Sequence, residues 1–176
     1  MSFLEGLLGM SSRAHRPLMQ DLINLQQTLN PLKHFFLHPG QGVFMALLKQ
    51  MDEAQKREVK GLLSVPQLTA QMIVNTGKRE IGQAEQLITQ MKVAVREMEQ
   101  DASHRLAAAL PQEYKQLEEI FAYLELILGA FHNDYLTLLN DDRPHRSQYE
   151  NAYLLAHNLR TIAARSEKDL ITAVPN

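Results

Sequence analysis

Residues 81–102 read IGQAEQLITQMKVAVREMEQDA, and within them Ile81, Ala84, Ile88, Met91, Val95, Met98 and Ala102 stand 3, 4, 3, 4, 3 and 4 residues apart. That spacing places all seven on one stripe of an α-helix and is the seam of a helix packed against others. Leu87 and Ala94 widen the stripe to the face expected in a bundle rather than in a thin two-stranded coil.

Working downstream, the residue before a proline is pushed out of the α region, so the helix is predicted to run to about Leu110 and stop at Pro111. The same period then returns in Leu117, Phe121, Leu124, Leu128, Phe131, Tyr135 and Leu138. Ile120, Leu126, Ile127, Leu136 and Leu139 add apolar surface on the other sides of this helix, and a helix apolar nearly all round must be covered nearly all round. The breaker-rich run Asn140-Asp141-Asp142-Arg143-Pro144 ends it. A third seam follows in Tyr149, Ala152, Ala156, Leu159, Ala163, Ser166 and Leu170, whose small residues permit close approach of a neighbour. Short connections make the three helices antiparallel neighbours.

Upstream the pattern is more broken. Gly77 and Gly82 either mark a break after a shorter helix, Pro66 to Asn75, or sit inside one long helix at a cost of about 1 kcal/mol each. Pro17 suits a first helical position, and Leu18, Leu22, Leu25 and Leu29 predict a short amphipathic helix ended by Asn30-Pro31. Leu32 to His38 reads as a helical turn stopped by Pro39-Gly40. The segments Val43 to Met51 and Asp52 to Leu63 follow, separate or joined, with Asp52 and Gln55 resembling a capping box. No alternating strand pattern, internal repeat or low-complexity tract appears. The fold class is therefore all-α: an antiparallel helical bundle of three long helices with shorter N-terminal helices, residues 17–172 forming one domain behind a mobile segment, 1–16.

Composition agrees. A chain of 176 residues with 45% hydrophobic and 22% charged residues buries a core without a staple and lies far from the disordered class. With no cysteine, disulfides, thiolate metal sites and a cysteine nucleophile are excluded. MSFLEGLLGM at the start lacks a basic region and a cleavage site, and the richest apolar stretch, Ile120 to Phe131, is shorter than the about 20 residues of a membrane span. Cytoplasm is the expected location. The net charge of −2 hides an asymmetry: residues 1–96 carry eleven Lys/Arg and seven Asp/Glu, residues 97–142 two and ten, residues 143–176 five and three. One flank should repel nucleic acid and attract basic surfaces.

Motifs that carry chemistry are mostly missing. No Glu-x-x-His and no His-Glu-x-x-His occurs, which removes the carboxylate-bridged metal pattern and the commonest zinc-protease helix. Glu97, Asp101 and His104 share one face of a continuous helix, as a metal triplet or as a solvated acidic stripe. His34 and His38 stand four apart with no carboxylate nearby in sequence. Glu125, between Leu124 and Leu126, is either a buried carboxylate with a raised pKa or a residue at an exposed position or paired with an arginine from the first half or the last helix; the second reading is favoured. His132 and Asp134 point to different sides of the same helix. Gly77-Lys78 is not a phosphate loop, there is no Gly-x-Ser-x-Gly elbow, and no arginine is followed by histidine at the spacing of the helical nucleases. Basic groups are scattered, pI is near 6.4, and the footprint of a nucleic-acid face is missing.

A bundle with heptad seams, eight methionines and no catalytic set reads as a non-enzymatic protein–protein interaction module: an adaptor, a chaperone or a self-assembling scaffold. The alternative is a small-molecule or metal-dependent helical enzyme built around Glu125 or around Glu97, Asp101 and His104. No cofactor is called for by any motif. The expected partner is a protein or a second copy, not nucleic acid, and no span crosses a membrane. The expected contact residues are Phe3, Leu4, Leu7 and Leu8, a compact apolar face with groove-binding spacing, tethered by the polar stretch Ser11 to Arg16.

Overall fold

The computed structural model describes residues 3–57, 64–100 and 104–173, with side chains from residue 18 onward except 54–57, 64–68, 99–100, 104–109, 134 and 173. All described elements are helices: α1 (Phe3–Leu37), α2 (Pro39–Arg57), α3 (Ser64–Gln100), α4 (His104–Tyr135), a 3-10 turn (Leu136–Leu139) and α5 (Arg143–Ala173). Among the described residues there is no strand.

The antiparallel bundle is confirmed by how side chains meet. Along α4 and α5, Glu125 meets His157 and Arg160 while Leu128 meets Tyr149, so one helix ascends as the other descends. Between α1 and α3, Lys33 pairs with Glu85 and Gln26 with Lys92 in the same opposed sense. Asp21 with Ser166 and Phe35 with Tyr149 set α1 against α5 likewise. The helices therefore stand in the cyclic order α1, α3, α4, α5, each antiparallel to its neighbours. α2 closes one end over an aromatic cluster in which Phe35, Phe44, Phe131 and Tyr149 meet largely edge to face, as ring quadrupoles prefer.

The seams read from sequence are the buried stripes. Ile81, Ala84, Ile88, Met91, Val95 and Met98 are buried on α3; Leu117, Phe121, Leu124, Leu128 and Phe131 on α4; and all seven positions from Tyr149 to Leu170 on α5. Asp142 caps α5, accepting from the His145 backbone N–H at 3.4 Å and lying 2.7 Å from His145 Nδ1, which holds its carboxyl below the usual range.

Some boundaries differ from expectation. The predicted short helix beginning at Pro17 and ending at Asn30-Pro31 is one part of α1, which runs through both prolines. A proline inside a helix costs about 3 kcal/mol. Leu29, Leu32, Phe35 and Phe36 around Pro31 are all buried, and each contributes about 1.5–3 kcal/mol by that burial, which outweighs the cost. The same holds at Pro111, which lies inside α4 between buried Leu110 and Tyr114 rather than ending the preceding helix. α3 instead ends at Gln100. Of the two readings around Asp52, the joined one holds as far as the described residues reach, to Arg57, with Asp52 interior to α2 rather than capping a new helix. Of the two readings of the first glycines, the long one holds: α3 is continuous from Ser64. A β-carbon at Gly77 would overlap the Phe36 ring, so glycine here is what lets α1 and α3 approach.

Candidate functional site

α4 organises everything that looks functional, because it is the most apolar helix and its flanks differ. The α5 side is closed tightly: the Tyr153 ring lies over Gly129, where a β-carbon would come within 3.0 Å of it, and the Tyr149 hydroxyl donates to the Leu128 carbonyl at 2.6 Å. Glu125 lies on this side with its side chain only 14% exposed. Its Oε2 stands 3.0 Å from Arg160 Nε and its Oε1 2.8 Å from His157 Nδ1. It is thus paired with an arginine of the last helix, the more conservative of the two sequence readings.

Deeper between α1, α4 and α5 is one polar layer in the apolar core. Ser166 donates to Asp21 Oδ2 at 3.4 Å, and burial, opposed by Arg165, raises the Asp21 carboxyl above its ordinary range. The Tyr114 hydroxyl lies beside Ser166 without completing a hydrogen bond to it; burial and then the Asp21 charge push its pKa up. Such a layer penalises slippage, because any shift of register would set Asp21 or Ser166 against leucine. Sequence reading found Ser166 by its seam position and missed Asp21 and Tyr114, although Leu110 and Tyr114 continue the α4 heptad upstream.

The α3 side of α4 is looser. Gln83, Leu87 and Gln90 from α3 and Glu119, Ile120 and Tyr123 from α4 line an open groove of about 610 Å³, with the apolar side chains inside and the amides along the edge. It adjoins the outer face of α4, where Tyr123 is 42% and Leu126 67% exposed, next to Ala122 and Ala130. The expectation that α4 is covered nearly all round therefore fails on this side. A second groove, of about 460 Å³, lies between the α1–α2 turn and α5, with Pro31, Phe35 and Leu155 inside it and exposed Leu154 at its lip.

The remaining candidates fall apart as constellations. Glu97 is exposed near the end of α3, while Asp101 and the side chain of His104 lie outside the described residues, so the triplet's alignment does too. His34 and His38 are exposed, their rings edge to face at 6.4 Å. Among the described residues no group of three or more His, Cys, Asp or Glu is placed to hold a metal ion, and no described helix is long and apolar enough to cross a membrane. Phe3, Leu4, Leu7 and Leu8 belong to α1, but their side chains lie outside the described residues, as does the proposed mobility of 1–16. No protein-family model, curated protein or solved structure matches the chain.

Proposed function

We propose that this chain is a non-enzymatic, cytoplasmic protein–protein interaction module whose contact surface is the α3–α4 groove with the adjoining outer face of α4. The observation that carries the reading is Leu126, 67% exposed in the middle of the most apolar helix and beside exposed Tyr123. An isolated exposed leucine is ordinary, but an apolar strip continuous with a groove is the form of a helix-docking surface. Leu87, Ile120 and Tyr123 supply anchors inside the groove, and Gln83 and Gln90 supply amides that donate and accept at its edge without the desolvation cost of a charge.

A photo-reactive residue at position 126 tests this in cells that make the chain natively, with position 161, exposed on α5, as control. Crosslinking from 126 to a second polypeptide, of either this chain or another, and not from 161, is the expected result. No crosslink from 126, or equal yields from both positions, refutes the reading.

A further inference from the structure

We propose that the α3–α4 groove is filled by the N-terminal turns of α1 from a second copy of this chain, so that copies join head to tail. The inference rests on the docking reading above and adds the identity of the occupant.

Three observations converge on it. The first is reach. Lys33–Glu85 and Gln26–Lys92 share one register, and carried upward it sets Leu18 opposite Gln100, so the turns of α1 before Leu18 have no described α3 residue alongside. The groove lies at the other end of that register, level with the Lys33 region of α1. At 1.5 Å per residue the levels of Leu8 and Pro31 are about 35 Å apart. α1 is unbroken from Phe3 to Leu37, so its first turns cannot fold back onto the groove of their own chain. They can enter only another copy's.

The second is length and polarity together. Phe3 to Arg16 and Leu126 to Glu113 span the same number of residues, each about 20 Å of helix. Laid antiparallel to α4, the docked segment puts its apolar residues Phe3, Leu4, Leu7 and Leu8 at the level of Leu126 to Phe121, where Tyr123 and Leu126 stand uncovered. The same alignment puts Arg13 and Arg16 at Gln116 and Glu113, with Glu119 one turn from the first.

The third is charge. The tether Ser11 to Arg16 contains two arginines, a histidine and no acid, whereas Glu113, Gln116 and Glu119, which follow one another along the groove side of α4, carry two acids and no base; Glu118 and Lys115 lie on the α5 side with Glu167. Glu113 Oε2 is buried without a hydrogen-bond partner, and burial raises its carboxyl above the ordinary range, the state of an acid that a cation alongside would relieve. Glu80, at the far side of the groove, is already held by Arg79 at 3.2 Å, so the unsatisfied acid is on the α4 side, where the tether arrives.

The donor segment and the acceptor groove are different surfaces, so the contact is heterologous and leaves a free segment and a free groove on every complex, to be closed as a ring or extended as a filament. Sedimentation velocity of the full chain tests this. Mass rising with concentration beyond a dimer, or to a closed ring, is expected for wild type. Leu7→Glu and Leu126→Glu are each expected to sediment as monomers, whereas their equimolar mixture forms a 1:1 heterodimer and nothing larger, because each retains one intact surface. Leu154→Glu, at the lip of the other groove, is expected to assemble like wild type. Arg16→Glu is expected to weaken assembly at least tenfold, and mixing it with Glu113→Arg to restore assembly beyond a heterodimer, because one contact is then the native pair and the other the reversed pair; this mixture carries the test if Leu7→Glu unfolds. A monomeric wild type, a mixture that stays monomeric, or loss of assembly by Leu154→Glu with Leu126→Glu unaffected overturns the proposal. If wild type is monomeric while position 126 still crosslinks to a different protein, the docking reading stands and only the second copy is eliminated.

Discussion

Gly77 and Gly82 lie in the same helix, five residues apart, and replacing each by alanine is expected to move stability in opposite directions. Alanine exceeds glycine in helix propensity by about 1 kcal/mol, because glycine loses more backbone freedom on folding. Gly82 is exposed with nothing near its missing β-carbon, so Gly82→Ala should gain about 1 kcal/mol, a rise in Tm of about 2 to 4 °C for a chain of this size. At Gly77 the added carbon would overlap the ring of Phe36, which is fully buried and packed edge to face on Phe35 at 5.1 Å, so the ring has nowhere to swing. Overpacking of this kind costs about 1–3 kcal/mol, and after the propensity gain Gly77→Ala is left between neutral and about 2 kcal/mol destabilised. The origin of the cost is isolated in a Phe36→Ala background. That change alone costs about 3–5 kcal/mol, but within it Gly77→Ala should stabilise by about 1 kcal/mol, as at Gly82. Urea melts of the four proteins in the cycle, followed by circular dichroism at the helical minimum, measure the coupling. If Gly77→Ala stabilises wild type as much as Gly82→Ala does, or if the coupling is below about 0.5 kcal/mol, the close α1–α3 approach through Gly77 is wrong.

Tyr149→Phe removes the donor to the Leu128 carbonyl, 2.6 Å away, and should cost about 1 kcal/mol in a denaturant melt, since that carbonyl belongs to a helix and the ring stays; a loss above about 3 kcal/mol would mean that the hydroxyl holds more than this one bond. Phe121→Ala and Leu128→Ala, both at the centre of α4, should each cost about 2–5 kcal/mol, and near-neutral effects from both would remove α4 from the core. Asp21 has a folded pKa raised above its unfolded 3.8, so the folded state holds its proton more tightly and stability is lost as pH rises from 3.8 through the raised value. Asp21→Asn should therefore raise Tm at pH 7, with the difference from wild type shrinking as pH falls through that window; an unchanged or lowered Tm at pH 7 contradicts the burial. Glu125→Gln should change stability by less than about 1 kcal/mol, since its partners Arg160 and His157 are over 40% exposed, and should leave crosslinking from position 126 intact.

What was legible in the sequence is what depends on period alone. The α5 seam could be read in full because a packed helix needs only a stripe of apolar or small residues at the right spacing, and Tyr149, Ala152, Ala156, Leu159, Ala163, Ser166 and Leu170 satisfy that locally. The prolines misled because their effect is local while the burial that overrides it is not: nothing within a few residues of Pro31 says that Phe36 will fit against Gly77, or near Pro111 that Tyr114 will reach the layer of Ser166 and Asp21. The separation of α3 from α4 was hidden for the opposite reason, since Met98 and Ala102 carry the α3 pattern past Gln100, the last described residue of α3. Glu125 was half legible: its flanking leucines showed it would be near the core, but choosing Arg160 over an arginine of the first half needs the three-dimensional arrangement.

The exposed face of α4 belongs to this second kind, and side-chain size accounts for where it falls. The sequence shows a helix with apolar residues on every side and implies that each side needs a cover; it does not say which side the chain leaves bare. α5 meets α4 at Gly129, where the Tyr153 ring packs onto the helix, with the pair of Glu125 and Arg160 at their edge. α3 meets α4 over Gln83, Leu87 and Gln90, long side chains that hold it off and leave the groove. A glycine thus lets α5 close on α4 while long side chains keep α3 at a distance, so that Tyr123, which turns toward the wider side, and Leu126 beyond it are left exposed among the described residues. Shortening Leu87 and Gln90 to alanine together is then expected to let α3 settle onto α4 and to lower the exposure of Tyr123, read as reduced quenching of its fluorescence by a soluble quencher in a chain whose other tyrosines are changed to phenylalanine. Unchanged quenching would show that the gap is set by something other than the length of these side chains.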